Sequence, residues 1–157
     1  MECERIDSLN RHQINEFMEQ RWYTTTMIIR GREVDVTKTE GFCFRDGEAI
    51  IGLITYLVYE NILEIVSLDS LRENQGIGTK LLELVIREAK ERNLQKVVLI
   101  TTNDNINAIR FYQKRGFDMA HLFRNAMDIS RKLKPEIPII GENFIPLRHE
   151  IEFELLI

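Results

Sequence analysis

Cysteine is scarce in this chain: Cys3 and Cys43 are the two among 157 residues. Two thiols make no disulfide framework, so free thiols in a reducing compartment are expected. No apolar run approaches the roughly 18–20 residues that span a bilayer. The opening Met1–Arg5 leads into no apolar stretch of the kind a signal peptide needs. Together these lead to the expectation of a cytoplasmic protein with no membrane partner. Neither sign of charge runs long, and the net charge is −4, which argues against nucleic acid as the main partner and mildly favours a cationic substrate such as an amine. His12, His121 and His149 have no metal-ligand spacing with one another or with the cysteines, so no metal is expected. There is no G-x-S-x-G elbow for a serine nucleophile. No repeat, low-complexity tract or second domain is visible, and residues 1–157 read as a single domain. A hydrophobic content of 44% is the usual globular share and supports a real core.

What is present centres on Glu73-Asn74-Gln75-Gly76-Ile77-Gly78-Thr79. An apolar run, Leu63 to Leu68, precedes it, and an amphipathic stretch from Ile77 to Arg92 comes after. The pattern is strand, tight glycine loop, helix. Glycines let the backbone turn sharply and approach a ligand closely. The helix start directs its first N–H groups and the positive end of its dipole into the loop, which suits a phosphate. A Walker loop is excluded because Thr79 precedes Lys80, and a dinucleotide fingerprint is excluded because Leu81 stands where its third glycine belongs. Alone, the paired glycines are equally well read as a plain corner.

Further on stands Asn105-Ile106-Asn107-Ala108-Ile109-Arg110-Phe111-Tyr112-Gln113-Lys114-Arg115-Gly116-Phe117. With this segment the sequence resembles the GNAT superfamily of acyl-CoA-dependent N-acyltransferases. Asn105, Ala108, Phe111, Tyr112, Gly116 and Phe117 match its N-x-x-A-x-x-[FL]-Y-x-x-x-G-F motif, and Gly76 and Gly78 match its [QR]-x-x-G-x-[GA] loop. Glu73 departs from that pattern, placing a negative charge near the loop, with Arg72 expected to point in and offset it. The resemblance is strong over residues 63–117, fainter over 41–61 and weak elsewhere.

Along the chain, residues 1–8 suggest a short strand, and Ser8 or Asn10 caps a helix ending near Arg21. Met27 to Arg30 reads as a strand broken by Gly31, with Arg30–Glu33 looping over the surface. Gly41–Phe44, Ala49–Tyr59 and Leu63–Leu68 form an antiparallel meander, with Asp46-Gly47 central to the first turn and Glu60-Asn61 making the second. Helix 77–92 buries Ile77, Leu81, Leu82, Val85 and Ala89 and sets Glu83 with Arg87 and Glu88 with Arg92 on its outer face. Asn93 ends it. It crosses to a strand over Lys96–Thr101 in a βαβ unit, whose two strands are therefore parallel. Asn103, Asp104 or Asn105 caps the next helix, which stops at Gly116. Phe117–Phe123 is another strand and 124–134 is helical. Pro135, Pro138, Gly141 and Pro146 then break the chain into an extended or looping segment. Arg148–Leu156 is a last strand whose glutamates face away from the core, with an exposed edge open to a homodimer. The fold class expected is α/β: a mixed, mostly antiparallel GNAT-like sheet with helices on both faces and one βαβ crossover.

The resemblance implies acetyl-CoA as co-substrate and a primary amine, small molecule or peptide, as acceptor. It implies that the backbone at Leu68 holds the pantetheine arm, that Gln75, Gly76, Ile77, Gly78 and Thr79 supply amides for the pyrophosphate, and that Asn105 touches the cofactor. Tyr112 matches the family's general acid; a phenol of pKa about 10 is protonated at neutral pH and can return a proton to the leaving thiolate. The plainer reading of Tyr112 is packing. For the base, Glu64 stands first and Asp69 second; either is also readable as a structural carboxylate. Trp22, Tyr23 and Arg30 lie where the family borders its acceptor pocket, or else the aromatics are core and Arg30 is a solvated charge. Cys43 reads as a small buried hydrophobe. The rival functions are an acyl-CoA-binding module without turnover and, less favoured, a nucleotide-binding protein.

Overall fold

The computed structural model describes residues 1–157. The order of elements is β1 (Glu2–Arg5), α1 (Arg11–Trp22), β2 (Thr26–Ile29), β3 (Arg32–Asp35), β4 (Glu40–Asp46), β5 (Ala49–Tyr59), β6 (Ile62–Ser70), α2 (Ile77–Glu91), β7 (Lys96–Thr102), α3 (Ile106–Lys114), β8 (Asp118–Phe123), α4 (Ala126–Leu133) and β9 (Glu150–Leu156). Seven strands form a mostly antiparallel sheet ordered β1-β4-β5-β6-β7-β9-β8, and β2 pairs with β3 apart from it. The fold is therefore the expected mixed α/β class. The chain divides into two compact units, one of Met1–Met27, Asp35–Val97 and Ile157, the other of Ile28–Val34 and Val98–Leu156.

In the first unit, apolar stripes and tight turns build a meander. Gly47, at φ 62°, opens the β4–β5 turn. That turn is Gly47-Glu48, one residue later than the sequence suggests, because Asp46 still pairs with Ala49. Glu60 and Asn61 both adopt positive φ, 48° and 63°, the geometry whose twist suits a two-residue hairpin. Helix α2 lays Ile77, Leu81, Leu82, Val85 and Ala89 against the sheet face that carries Ile54, Tyr56 and Leu63, and all are buried. Each buried Val, Leu or Ile among them contributes about 1.5–3 kcal/mol. Gly52 makes room for α2: a Cβ there would lie 2.5 Å from Ile77. Glu88 is not on the outer face as expected. It is buried, and it accepts from both Arg5 Nη1 and Nη2, at 3.1 and 2.8 Å, and from Arg92 Nε at 2.8 Å. The Arg5 guanidinium, above all, holds its carboxyl below the usual range. Cys43 and Cys3 are free thiols, and burial raises the Cys43 thiol to about 11.

In the second unit, Asn105 caps α3 by accepting the Ala108 N–H at 3.1 Å, and Gly116 leaves the helix at φ 92°. The proline-rich segment is pinned rather than free. Asp104 accepts the Glu142 N–H at 2.8 Å, Arg131 donates to the carbonyl of Pro138 at 2.7 Å, and Ile140 bridges to Pro146. Asn103 Oδ1 accepts the N–H groups of Arg148 and His149, both at 2.9 Å, which delivers the chain to β9. That strand lies between β7 and β8, so the last strand has no exposed edge, contrary to expectation; the edges of the sheet are β1 and β8. Arg30 and Gly31, at φ 54° and 71°, are a two-residue turn joining β2 to β3; Arg30, Arg32 and Glu33 lie at the surface as expected, but in a hairpin rather than an irregular loop. The strand at 32–35 escapes a sequence reading because Arg32-Glu33-Val34-Asp35 holds one apolar residue.

Candidate active site

The polar side of β6 owes its arrangement to one extra residue. Ile65 pairs with Tyr56 but Ser67 pairs with Thr55, so Val66 is a bulge that bends the strand and interrupts its ladder. Simple alternation would put Glu64 and Asp69 on opposite faces. With the bulge, Glu64, Ser67 and Asp69 stand opposite Leu57, Thr55 and Leu53, and cross-strand partners share a face. The hydrogen bonds agree: Tyr59 donates its hydroxyl to Glu64 Oε1 at 2.5 Å, and the Thr55 and Ser67 hydroxyls meet at 2.6 Å. Glu64 is 1% exposed and Asp69 4%. Asp69 accepts from Trp22 Nε1 at 3.0 Å and from Arg21 Nε at 3.3 Å. Burial raises the Asp69 carboxyl, and the Trp22 and Arg21 bonds oppose that rise.

Trp22→Phe is thus expected to destabilise the protein by about 1–3 kcal/mol, because one oxygen of a buried carboxylate loses its donor. The Trp22 bond favours the ionised form, so the loss is full at neutral pH and shrinks as pH falls through the Asp69 pKa. Denaturant melts at neutral and acid pH measure this; equal stability of the two proteins at neutral pH would show that the bond carries no weight.

After β6 the chain turns through Asn74 and Gly76, at φ 59° and 71°, into α2. Gly76 is the N-cap, and no side chain caps the helix. The first amides of a helix have no intrahelical acceptor. The space that a Cβ on Gly76 would occupy is open. An uncapped first turn of a 15-residue helix, reached by a glycine with nothing over it, fits the phosphates of a nucleotide-like group. Arg72 does not turn toward Glu73 as expected; it pairs with Asp46 at 2.7 Å. A surface cleft of about 460 Å³ is lined by Gln13, Phe17, Arg21, Ala49, Ile50 and Leu71, among others. Neither Glu64 nor the 75–79 amides line it.

In the second unit Tyr112 is buried on α3. Its ring meets Phe111, Phe117 and Phe153 at centroid distances of 5.0, 5.5 and 6.3 Å. On the opposite face of β9 from Phe153, Glu150 stands across from Phe123 and Glu152 across from His121. His121 Nδ1 lies 2.7 Å from Glu152 Oε2. The Arg30 guanidinium sits 3.3 Å above the Phe123 ring, and the Arg30 N–H donates to Glu150 Oε2 at 3.2 Å. Glu150 is 3% exposed, against the expectation that the β9 glutamates face away from the core, and burial raises its carboxyl.

Residues 6–117 match the profile of the Acetyltransferase (GNAT) family. This chain belongs to that family. It is 45% identical over 139 residues to the protein YxbD of Bacillus subtilis, covering 88% of this chain and 87% of that one. It is 44% identical over 152 residues to YdhI of the same organism, covering 96% and 95%. Its fold is shared with a GNAT family acetyltransferase from Elizabethkingia anophelis solved with acetyl-CoA bound, with a TM-score of 0.71 at 21% identity over 99% of this chain and 97% of that one. A Bacillus subtilis acetyltransferase of the same fold was solved with CoA.

Within this GNAT chain, Gln75, Gly76, Ile77, Gly78 and Thr79 fall together at the start of α2. Leu68 lies two residues beyond the bulge, opposite Ile54. Asn105 uses its side-chain oxygen to cap α3, which leaves its NH2 hydrogens as the ones to offer a ligand. The aromatics expected as core or as substrate contacts are not core: Trp22 is 42% exposed and Tyr23 92%. Trp22 is tied to Asp69, and Arg30 is stacked rather than merely solvated. Sequence reasoning does not single out Tyr59, Thr55, Ser67 or Glu150. Polar residues inside the apolar run of β5 and β6 are a usable signal for Thr55 and Ser67. Nothing local marks Glu150 as buried. No helix is long and apolar enough to cross a membrane.

Proposed function

We propose that this GNAT chain is an acetyl-CoA-dependent N-acetyltransferase that moves an acetyl group to a primary amine by direct attack. The observation that carries the proposal is the uncapped, glycine-led start of α2 directly after a bulged β6. The amides of Gln75–Thr79 hold the pyrophosphate, the backbone at Leu68 holds the pantetheine arm, and the Asn105 amide adds a side-chain contact. Backbone N–H near Leu68 stabilises the oxyanion as the amine nitrogen bonds to the thioester carbonyl carbon. The C–S bond then breaks, the Tyr112 hydroxyl gives its proton to the departing sulfur, and the proton shed by the acylated nitrogen restores the phenol. An amine of pKa about 10 arrives protonated; Glu64 takes that proton, directly or through water. Holding both reactants together supplies much of the acceleration.

One observation favours the rival, a module of the same fold that binds acyl-CoA without turnover. Both candidate bases already have partners, Glu64 in Tyr59 and Asp69 in Trp22 and Arg21. Calorimetric titration with acetyl-CoA, then a thiol-release assay over a panel of amines, separates the two. Binding with turnover on one amine class supports the transferase. Binding with no turnover across the panel supports the module. Absence of binding removes both.

A further inference from the structure

Glu150 is a buried carboxyl with work left undone. Its Oε2 accepts the Arg30 N–H at 3.2 Å, while its Oε1 is buried and has no hydrogen-bond partner. Buried polar atoms are nearly always satisfied, so an idle carboxylate oxygen calls for an explanation. The cover over it is built from the β2–β3 turn. Arg30 is a non-glycine residue at φ 54°, a conformation normally left to glycine, asparagine or aspartate. Gly31 beside it sits so close to α4 that a Cβ would lie 3.0 Å from Ile129 Cγ2. Two contacts offset the strain: the bond to Glu150 and the stacking of Arg30 on Phe123. Both are contacts that a ligand can replace.

We propose that Glu150 is the acceptor-recognition carboxylate, and that the amine substrates of this enzyme carry an ammonium group that it binds. This rests on the N-acetyltransferase reading above. An ammonium brings three N–H donors and a positive charge. One N–H satisfies Oε1, and another takes the place of the Arg30 N–H at Oε2 as the turn lifts. The Arg30 and Arg32 guanidiniums also act on Glu150, but an anionic acceptor has no donor to give Oε1, which an ammonium supplies. A metal ion would need more ligands than this site has, since no group of three histidine, cysteine or acidic side chains converges anywhere in the chain.

The test compares the full-length protein with Glu150→Gln, which keeps the shape and one acceptor oxygen but removes the charge, and with Arg30→Ala, which removes the stacked cover. The probes are 1,5-diaminopentane and spermidine, which keep a second ammonium when one nitrogen is deprotonated for attack, with benzylamine, which keeps none, as the control whose KM stays unchanged. Amine turnover is read by thiol release, amine binding by saturation-transfer NMR, and acetyl-CoA binding by calorimetry. The expected result for Glu150→Gln is a rise of at least about tenfold in KM for 1,5-diaminopentane and spermidine, the size of one lost charged contact. Its acetyl-CoA affinity and melting temperature stay unchanged, and the amine's NMR contact with the protein is lost. Arg30→Ala binds the amine as well as the unaltered protein or better. An unchanged KM for these two amines in Glu150→Gln overturns the proposal. So does a parallel loss of acetyl-CoA affinity and melting temperature, which would mark Glu150 as purely structural. If no amine is turned over, the transferase reading fails separately. Amine contact that disappears in Glu150→Gln then still supports the site, and amine contact that persists in it overturns the site.

Discussion

Tyr112→Phe is expected to lower kcat by about ten- to a thousandfold, the span for loss of one general acid, with acetyl-CoA affinity nearly intact. The aromatic packing survives this substitution. The Tyr112 ring is held edge-on by Phe111 and Phe117 and tilted against Phe153, and phenylalanine keeps all three contacts. What is removed is one hydroxyl. A purely structural tyrosine would show its loss in the melting temperature; a general acid shows it in kcat. Single-turnover thiol release at saturating acetyl-CoA measures the effect. Unchanged turnover in a normally folded variant would take Tyr112 out of the mechanism and leave the thiolate, an easy leaving group of pKa about 8.5 if it resembles cysteine, to depart unaided.

Gly78→Val is expected to weaken acetyl-CoA binding at least about a hundredfold, on the order of 3 kcal/mol. Gly78 lies in the first turn of α2, beside the left-handed Gly76 that leads into it. A β-branched side chain there stands over the amides assigned to the pyrophosphate and keeps it from reaching them. Gly78→Ala gives an intermediate loss. The buried stripe of α2, Ile77, Leu81, Leu82, Val85 and Ala89, is untouched, so far-UV circular dichroism is expected to show the helix intact. Calorimetry reads the binding. If the valine variant folds and binds acetyl-CoA as the unaltered protein does, the glycine loop is only a corner and the cofactor lies elsewhere.

Several local expectations hold for local reasons. Asn105 caps α3, Asn93 comes after α2 at φ 57°, and Gly116 exits α3 at positive φ. Each of these is decided by the residue's own conformational range within one or two turns of backbone. The expectations that fail concern partners far away in sequence. Proximity along the chain gives Arg72 to its neighbour Glu73, but Asp46 on the β4–β5 hairpin sits within 2.7 Å and takes it. Glu88 has the spacing of a solvated helix charge because its i,i+4 partner Arg92 is real. The same carboxylate is also claimed by Arg5, 83 residues earlier, and that contact draws it into the protein.

The sequence by itself determined the glycine loop, the helix that extends from it, the helix that carries Tyr112 and the family, because those lie in short stretches where glycine, capping and apolar spacing act locally. Only the tertiary structure decided which acids share a face. A bulge is a relation between two strands, so Val66 looks like any valine until β5 is laid beside β6 and Glu64 turns to the side of Asp69. The burial of Glu150 obeys the same rule. Its place in an alternating strand predicts exposure, and the Arg30 turn, 120 residues away along the chain, covers it. Long-range pairing closes large loops at a small extra entropic cost per residue, and no residue near Glu150 in sequence records that closure.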